Sequence, residues 1–172
     1  MRRIRYCVAV SLDGYIAGPK GEADWIVMDP EIDFKALWSQ FDTLLIGRTT
    51  FETMAQHGGG GSSPGVKTLV FSRTLKPSDH PKVTIVADNA KKTLTALKKE
   101  PGKDIWLFGG GSLFASLLAE KLVDTIEVAI VPVLLGGGIP LLAPPATRAK
   151  LNLTRQKTYQ KTGIVSLGYA VK

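Results

Sequence analysis

The chain has 172 residues, enough to fold as a single domain over 1–172 with a core of ordinary size. Its hydrophobic fraction of 44% and charged fraction of 22% are those of a globular protein and exclude a disordered chain. A formal charge of +7 favours phosphate-rich partners. The densest basic cluster (Lys91, Lys92, Lys98, Lys99 and Lys103) is spread over one predicted helix and its exit. It reads as a solvated face, without the interleaved aromatics or motif of a nucleic-acid surface.

No apolar run reaches the roughly eighteen residues of a membrane span, and the basic start Met1-Arg2-Arg3 is not followed by a signal-peptide core. The lone Cys7 lies inside an apolar run and rules out an internal disulfide. The expectation is a cytoplasmic protein that binds neither membrane nor nucleic acid.

In chain order, residues 2–10 read as a strand ending at the Asp13-Gly14 turn. Asp29-Pro30 reads as an N-cap followed by proline at the first helical position. Phe34, Leu37, Trp38 and Phe41 then recur at helical spacing, which predicts a helix over 30–41. Residues 43–46 form a short strand meeting Gly47-Arg48, 49–56 a helix, and 57–65 a loop with four consecutive glycines. Segments 67–71 and 83–86 are apolar, β-branched strands, and Leu94 and Leu97 mark a helix between Asn89 and Glu100. Residues 104–108 are a strand running into Gly109-Gly110-Gly111, followed by a helix over 112–122 and a long β-branched strand over 125–135. The tail, 151–160 and 164–171, alternates on either side of Lys161-Thr162-Gly163 and reads as a hairpin. Strands alternating with helices and finished by a hairpin predict an α/β fold: a mostly parallel mixed sheet, flanking helices and an antiparallel C-terminal hairpin.

Three strand-to-helix junctions carry chemistry. At Phe108-Gly109-Gly110-Gly111-Ser112-Leu113 a buried strand delivers bare backbone to a helix start, where unpaired N–H groups and the helix dipole attract a pyrophosphate. The spacing is neither the Rossmann glycine pattern nor a P-loop. At Ile46-Gly47-Arg48-Thr49 another strand ends in glycine, with a guanidinium and a hydroxyl in the helix's first turn, both suited to phosphate. At Phe71-Ser72-Arg73 a serine and an arginine stand at the C-terminal end of a strand, where ligands of open α/β sheets collect. That pair suits a ribose 2′-phosphate and hence NADPH over NADH. His57 and His80 lack partners at metal-ligand spacing, so no metal site is expected.

In order and spacing these segments resemble the dihydrofolate reductase superfamily over nearly the whole chain. Gly47-Arg48-Thr49-Thr50-Phe51-Glu52 is similar to its Gly-Arg-x-Thr-Trp-Glu, Pro64-Gly65 with the strand to Ser72-Arg73 to its Pro-Gly, strand and Ser-Ser/Arg, and Gly109–Phe114 to its Gly-Gly-x-x-x-Tyr. The opening Ser11-Leu12-Asp13-Gly14-Tyr15-Ile16-Ala17-Gly18 more closely resembles the reductase domain of riboflavin biosynthesis. The resemblance implies a dihydrofolate-reductase-like fold, a homodimer, and NADPH held by Gly47, Arg48, Thr49, Ser72, Arg73, Gly109, Gly110, Gly111, Ser112 and Leu113. Ala9, Ile16 and Phe114 are implied near the nicotinamide.

The substrate contacts depart from both patterns. The folate reductases' arginine after Pro-Gly is Val66 here, and their later-strand threonine is Ala129. Trp25 matches, but the carboxylate near the first helix is out of register: Asp29, Glu31 and Asp33 compete, and one alignment gives Ile32. The glutamate that riboflavin reductases carry before the double glycine is Phe108. The expectation is an NADPH-dependent reductase of a pteridine- or pyrimidine-like heterocycle, with Glu31 or Asp33 as the group that positions the ring or relays a proton. A nucleotide-binding module without turnover and an interaction protein on an inherited fold are the alternatives. Asp13 reads as a turn residue, and Trp25 as core or pocket wall.

Overall fold

The computed structural model describes residues 1–56 and 65–172. Six strands run parallel: β1 (Ile4–Ser11), β3 (Phe41–Gly47), β4 (Lys67–Phe71), β5 (Thr84–Val86), β6 (Asp104–Gly109) and β7 (Thr125–Val131). The hairpin of β9 (Leu151–Tyr159) and β10 (Ile164–Val171) adds antiparallel strands, giving the order β5-β4-β3-β6-β1-β7-β10-β9. A separate pair joins β2 (Tyr15–Ala17) to β8 (Ile139–Pro140). The helices are α1 (Phe34–Trp38), α2 (Arg48–Gln56), α3 (Ala90–Lys99) and α4 (Gly111–Ala119).

The two-residue period of the strands sorts their side chains into two layers. Ile4, Tyr6 and Val10 of β1, Leu45 of β3, Ile105 and Leu107 of β6 and Ile126 and Val128 of β7 pack with Leu94 and Leu97 of α3 and Phe114 and Leu117 of α4. On the opposite face Cys7, Phe41, Leu44 and Trp106 pack with Leu37 and Trp38 of α1. Ile46 and Val70 pack there with Phe51 of α2. Sheet strands covered on both faces become near-continuous apolar runs, as 43–46 and 104–108 are. Among the described residues no helix is long and apolar enough to cross a membrane.

The expected helix over 30–41 is corrected to the five residues of α1. Asp33, not Asp29, is its N-cap, with its carboxylate accepting from the Ala36 N–H at 2.8 Å. Asp29 is buried and engaged elsewhere, and Phe41 opens β3 instead of closing the helix. The strand expected to reach 135 stops at Val131, because Pro132 has no N–H to continue the ladder. Part of the 57–65 loop, residues 57–64 with His57 and Pro64, lies outside the described residues.

Candidate functional site

The strand order places the three junctions side by side. Gly47 at the end of β3 is in register with Phe71 of β4, and Ile46 is in register with Gly109 of β6. The chain therefore leaves the sheet three times along one rim, into α2 at Arg48, into the 72–75 turn and into α4 at Gly111.

Glycine sets the contour of that rim. Gly110 is the N-cap of α4 and provides no side-chain cap, so the helix start presents bare backbone. A Cβ on Gly47 would project into the crevice between β3 and β6, 3.8 Å from the Gly109 carbonyl oxygen. A Cβ on Gly111 would collide with the carbonyl oxygen of Pro140, so Gly111 is there for packing against β8.

Among the rim's polar side chains, Arg48 is exposed, with Nη1 3.3 Å from Glu52 one helical turn on. Such an exposed pair contributes only about 0.5 kcal/mol and yields readily to a phosphate. Arg73 is exposed and has no hydrogen bond or ion pair among the described residues. Ser72 is buried, and its Oγ accepts from the N–H groups of Thr74 and Leu75 at 3.2 and 3.1 Å. Its hydroxyl therefore shapes the turn that displays Arg73. Thr49 faces the adjoining cavity, while Ser112 is exposed and Leu113 half-buried.

That cavity, about 870 Å³, lies on the α1 side of the sheet and reaches Gly109 and Gly110 at the rim. Its floor is Cys7, Ala9, Glu127, Ala129 and Ser166, its aromatic wall is Trp38, Trp106 and Phe108, and the 19–28 segment forms its roof. Ala9 and Ala129 are register partners on β1 and β7, and their small side chains leave flat space at the centre. Ile16 borders the same space. Phe114 does not. It is 2% exposed on the other face of the sheet and stacks on Tyr6 at 4.0 Å, so its ring belongs to the core.

Electrostatically, the cavity floor is dominated by a network that sequence reasoning missed. Arg5 grips Glu127 with two parallel bonds, Nε to Oε1 at 2.7 Å and Nη2 to Oε2 at 2.9 Å. Arg5 Nη1 also approaches Asp104 at 3.4 Å, and Asp104 holds Arg3 at 2.6 Å. Arg155 Nη2 reaches Glu127 Oε2 from β9 at 3.2 Å. Burial pushes the Glu127 carboxyl up, but the Arg5 hydrogen bonds and the charges of Arg5 and Arg155 outweigh it and hold the group below its ordinary range. Burial likewise pushes the neighbouring Cys7 thiol well up, which keeps it protonated and unreactive.

The candidate carboxylates part company. Glu31 is half exposed, 3.7 Å from Lys157 Nζ, and does not border the cavity. Asp33 borders it, with its carboxylate committed to capping α1. Asp29 accepts from Thr162 Oγ1 at 2.7 Å and from the Glu31 N–H at 2.8 Å. Asp13 is a turn residue: it accepts from Ser11 Oγ and from the N–H groups of Leu135 and Gly136, tying the first turn to the loop before β8. Among the described residues no three His, Cys, Asp or Glu side chains gather as metal ligands. His80 packs edge-on to Phe51.

This architecture is found in known proteins. Residues 2–165 match the family described as the RibD C-terminal domain. The uncharacterized protein YyaP of Bacillus subtilis (strain 168) is 37% identical over 98% of this chain and 94% of its own. A candidate riboflavin biosynthesis protein from Shewanella sp. PV-4 superimposes with a TM-score of 0.82 and 26% identity over 99% of both chains. Dihydrofolate reductase from Enterococcus faecalis, solved with NADP(H), superimposes with a TM-score of 0.71 at 18% identity over 99% of this chain and 96% of its own, a likeness of fold. The chain thus belongs to the RibD C-terminal domain family, the riboflavin-pathway reductase branch of the dihydrofolate-reductase-like fold.

Proposed function

We propose that the protein is an NADPH-dependent reductase of a pteridine- or pyrimidine-like heterocycle. One observation carries the reading: the glycine-lined rim of β3, β4 and β6 opens into the cavity whose floor is Ala9 and Ala129. The residues fit a dinucleotide. The uncapped start of α4 suits the pyrophosphate, Gly47 leaves the crevice a Cβ would fill, and Arg48 and Thr49 flank it. Arg73, displayed by the Ser72 turn, suits the ribose 2′-phosphate. When bound, the dihydronicotinamide supplies the hydride. The chain's own residues position a flat ring over Ala9 and Ala129 and exclude water with the aromatic wall of Trp38, Trp106 and Phe108. Asp33 is the carboxylate nearest to a proton-relaying role, because it borders the cavity where Glu31 does not.

The test has two stages. NADPH should raise Tm more than NADH at equal concentration, and NADPH oxidation should then be followed with a panel of pterins and aminopyrimidines. Protection without turnover favours a nucleotide-binding module, a reading supported by the engagement of Asp29, Asp33 and Glu127 in structural bonds. No protection overturns both.

The reading extends to a cytoplasmic homodimer. Its support is β9, an edge strand whose residues 151–158 are exposed on both faces, with Leu151 and Leu153 among them. Sedimentation giving a monomer at micromolar concentration would refute the dimer.

A further inference from the structure

The ion network of the cavity floor has one end that faces the ligand space. Arg155 lies on β9, Gly168 is its register partner on β10, and Gly168 is in turn the partner of Glu127 on β7. Gly168 contributes no side chain to that row, and a Cβ there would stand 3.5 Å from the Arg155 Cβ. The Arg155 guanidinium therefore crosses an empty position to reach Glu127. Glu127 is engaged by Arg5 through both oxygens, and Arg5 and Glu127 are the enclosed members of the network. Arg155 makes a single bond to Glu127, keeps 65% of its side chain exposed and borders the cavity. Three guanidinium groups, of Arg3, Arg5 and Arg155, face two carboxylates, of Asp104 and Glu127. The network carries one positive charge in excess, and the cavity end of it is a planar donor with its remaining N–H groups available.

We infer that Arg155 is a specificity-determining residue that binds an anionic substituent, carboxylate or phosphate, on the heterocycle, with Glu127 and the side-chain-free Gly168 as the elements that position it. The inference rests on the proposed reductase reading and assigns the outer end of the same cavity. Lys20, on the roof segment, is a second exposed cation bordering that space. The floor between this end and Ala9 is mostly apolar, so a neutral substituent would find no partner for its charge-sized gap in hydrogen bonding at Arg155.

The test is binding by the full chain, measured calorimetrically with NADPH present and with it absent. The probes are matched pairs: a pterin carboxylate against the same pterin with a hydroxymethyl group, and uridine monophosphate against uridine. In the wild type the anionic member of at least one pair should bind about tenfold or more tightly, and which pair responds separates carboxylate from phosphate. Arg155→Ala should abolish the preference without unfolding the chain, and Arg155→Lys should restore part of it. Equal binding within both pairs, no binding by any probe, or a preference that survives Arg155→Ala would overturn the inference. Protection by NADPH is scored separately, so a failure here is distinguishable from failure of the cofactor reading.

Discussion

The Asp29 carboxylate accepts a hydrogen bond from Thr162 Oγ1 at 2.7 Å across 133 residues of sequence, tying the roof of the cavity to the β9–β10 turn. The roof segment has no helix or strand between Ala17 and Phe34, so this bond is a principal tether. Thr162→Val keeps the side chain's shape and removes the donor, leaving a buried carboxylate one partner short. The expected result is a Tm lower by on the order of 5 °C and a weaker grip on any ligand under the roof. An unchanged Tm in differential scanning calorimetry would show that the tether carries no stability.

Two glycines on the rim should respond in opposite ways. Gly111→Ala places a Cβ against the backbone carbonyl of Pro140, which has nowhere to retreat without moving β8. Overpacking of this kind costs about 1–3 kcal/mol, read as a lower urea midpoint. Gly47→Ala meets nothing closer than 3.8 Å and should fold normally. It fills the crevice between β3 and β6, so NADPH protection should fall on the order of tenfold in apparent affinity. Loss of stability in Gly47→Ala with retained cofactor binding would reverse the assignment of the two positions.

The rim was legible in the sequence because each of its parts is local: a strand, a glycine and a helix start within about ten residues. The α1 boundary was not, since Asp29 and Asp33 both precede apolar periodicity and Thr162 decides between them. The network of Arg5, Glu127 and Arg155 depends on strand order and register, which no local pattern fixes. Its one signal was opposite charges at inward positions of otherwise apolar strands, Arg5 in β1 and Glu127 in β7. Phe114 shows the reverse case. Its helical spacing with Leu117 and Leu118 marked a core face, and the packing agrees with the periodicity against the position the resemblance implied. The strands β2 and β8 escaped notice because they are short and find each other only across the sequence.

Arg73 is displayed on a turn closed by Ser72 and stands without a partner among the described residues. Arg73→Ala removes no packing, so the fold and Tm should persist. If the guanidinium meets the 2′-phosphate, NADPH affinity should fall by about tenfold to a hundredfold while NADH affinity stays within error. Titration of both cofactors against wild type and variant decides the matter, and equal losses would move Arg73 away from the 2′-phosphate.

The carboxyls of Asp29, Asp104 and Glu127 are all held below their ordinary values. In each, burial alone would raise the value, and hydrogen bonds and nearby cations more than offset it: the Glu31 N–H, Thr162 and two lysines at Asp29, Arg3 and Arg5 at Asp104, and Arg5 and Arg155 at Glu127. Ordinary values are 3.8 for the aspartates and 4.5 for the glutamate. As the pH falls through this range the unfolded chain takes up protons that the folded chain still refuses, so stability drops with falling pH. The contribution is complete above about 4.5 and disappears once the pH is below the depressed folded-state values. Urea midpoints measured between neutrality and the acid limit should be flat at first and then decline. In Glu127→Gln, which lacks the titrating group, the decline should begin at lower pH and be shallower. A Glu127→Gln profile that parallels the wild type throughout would show that the Arg5–Glu127–Arg155 network adds nothing to the acid sensitivity of the fold.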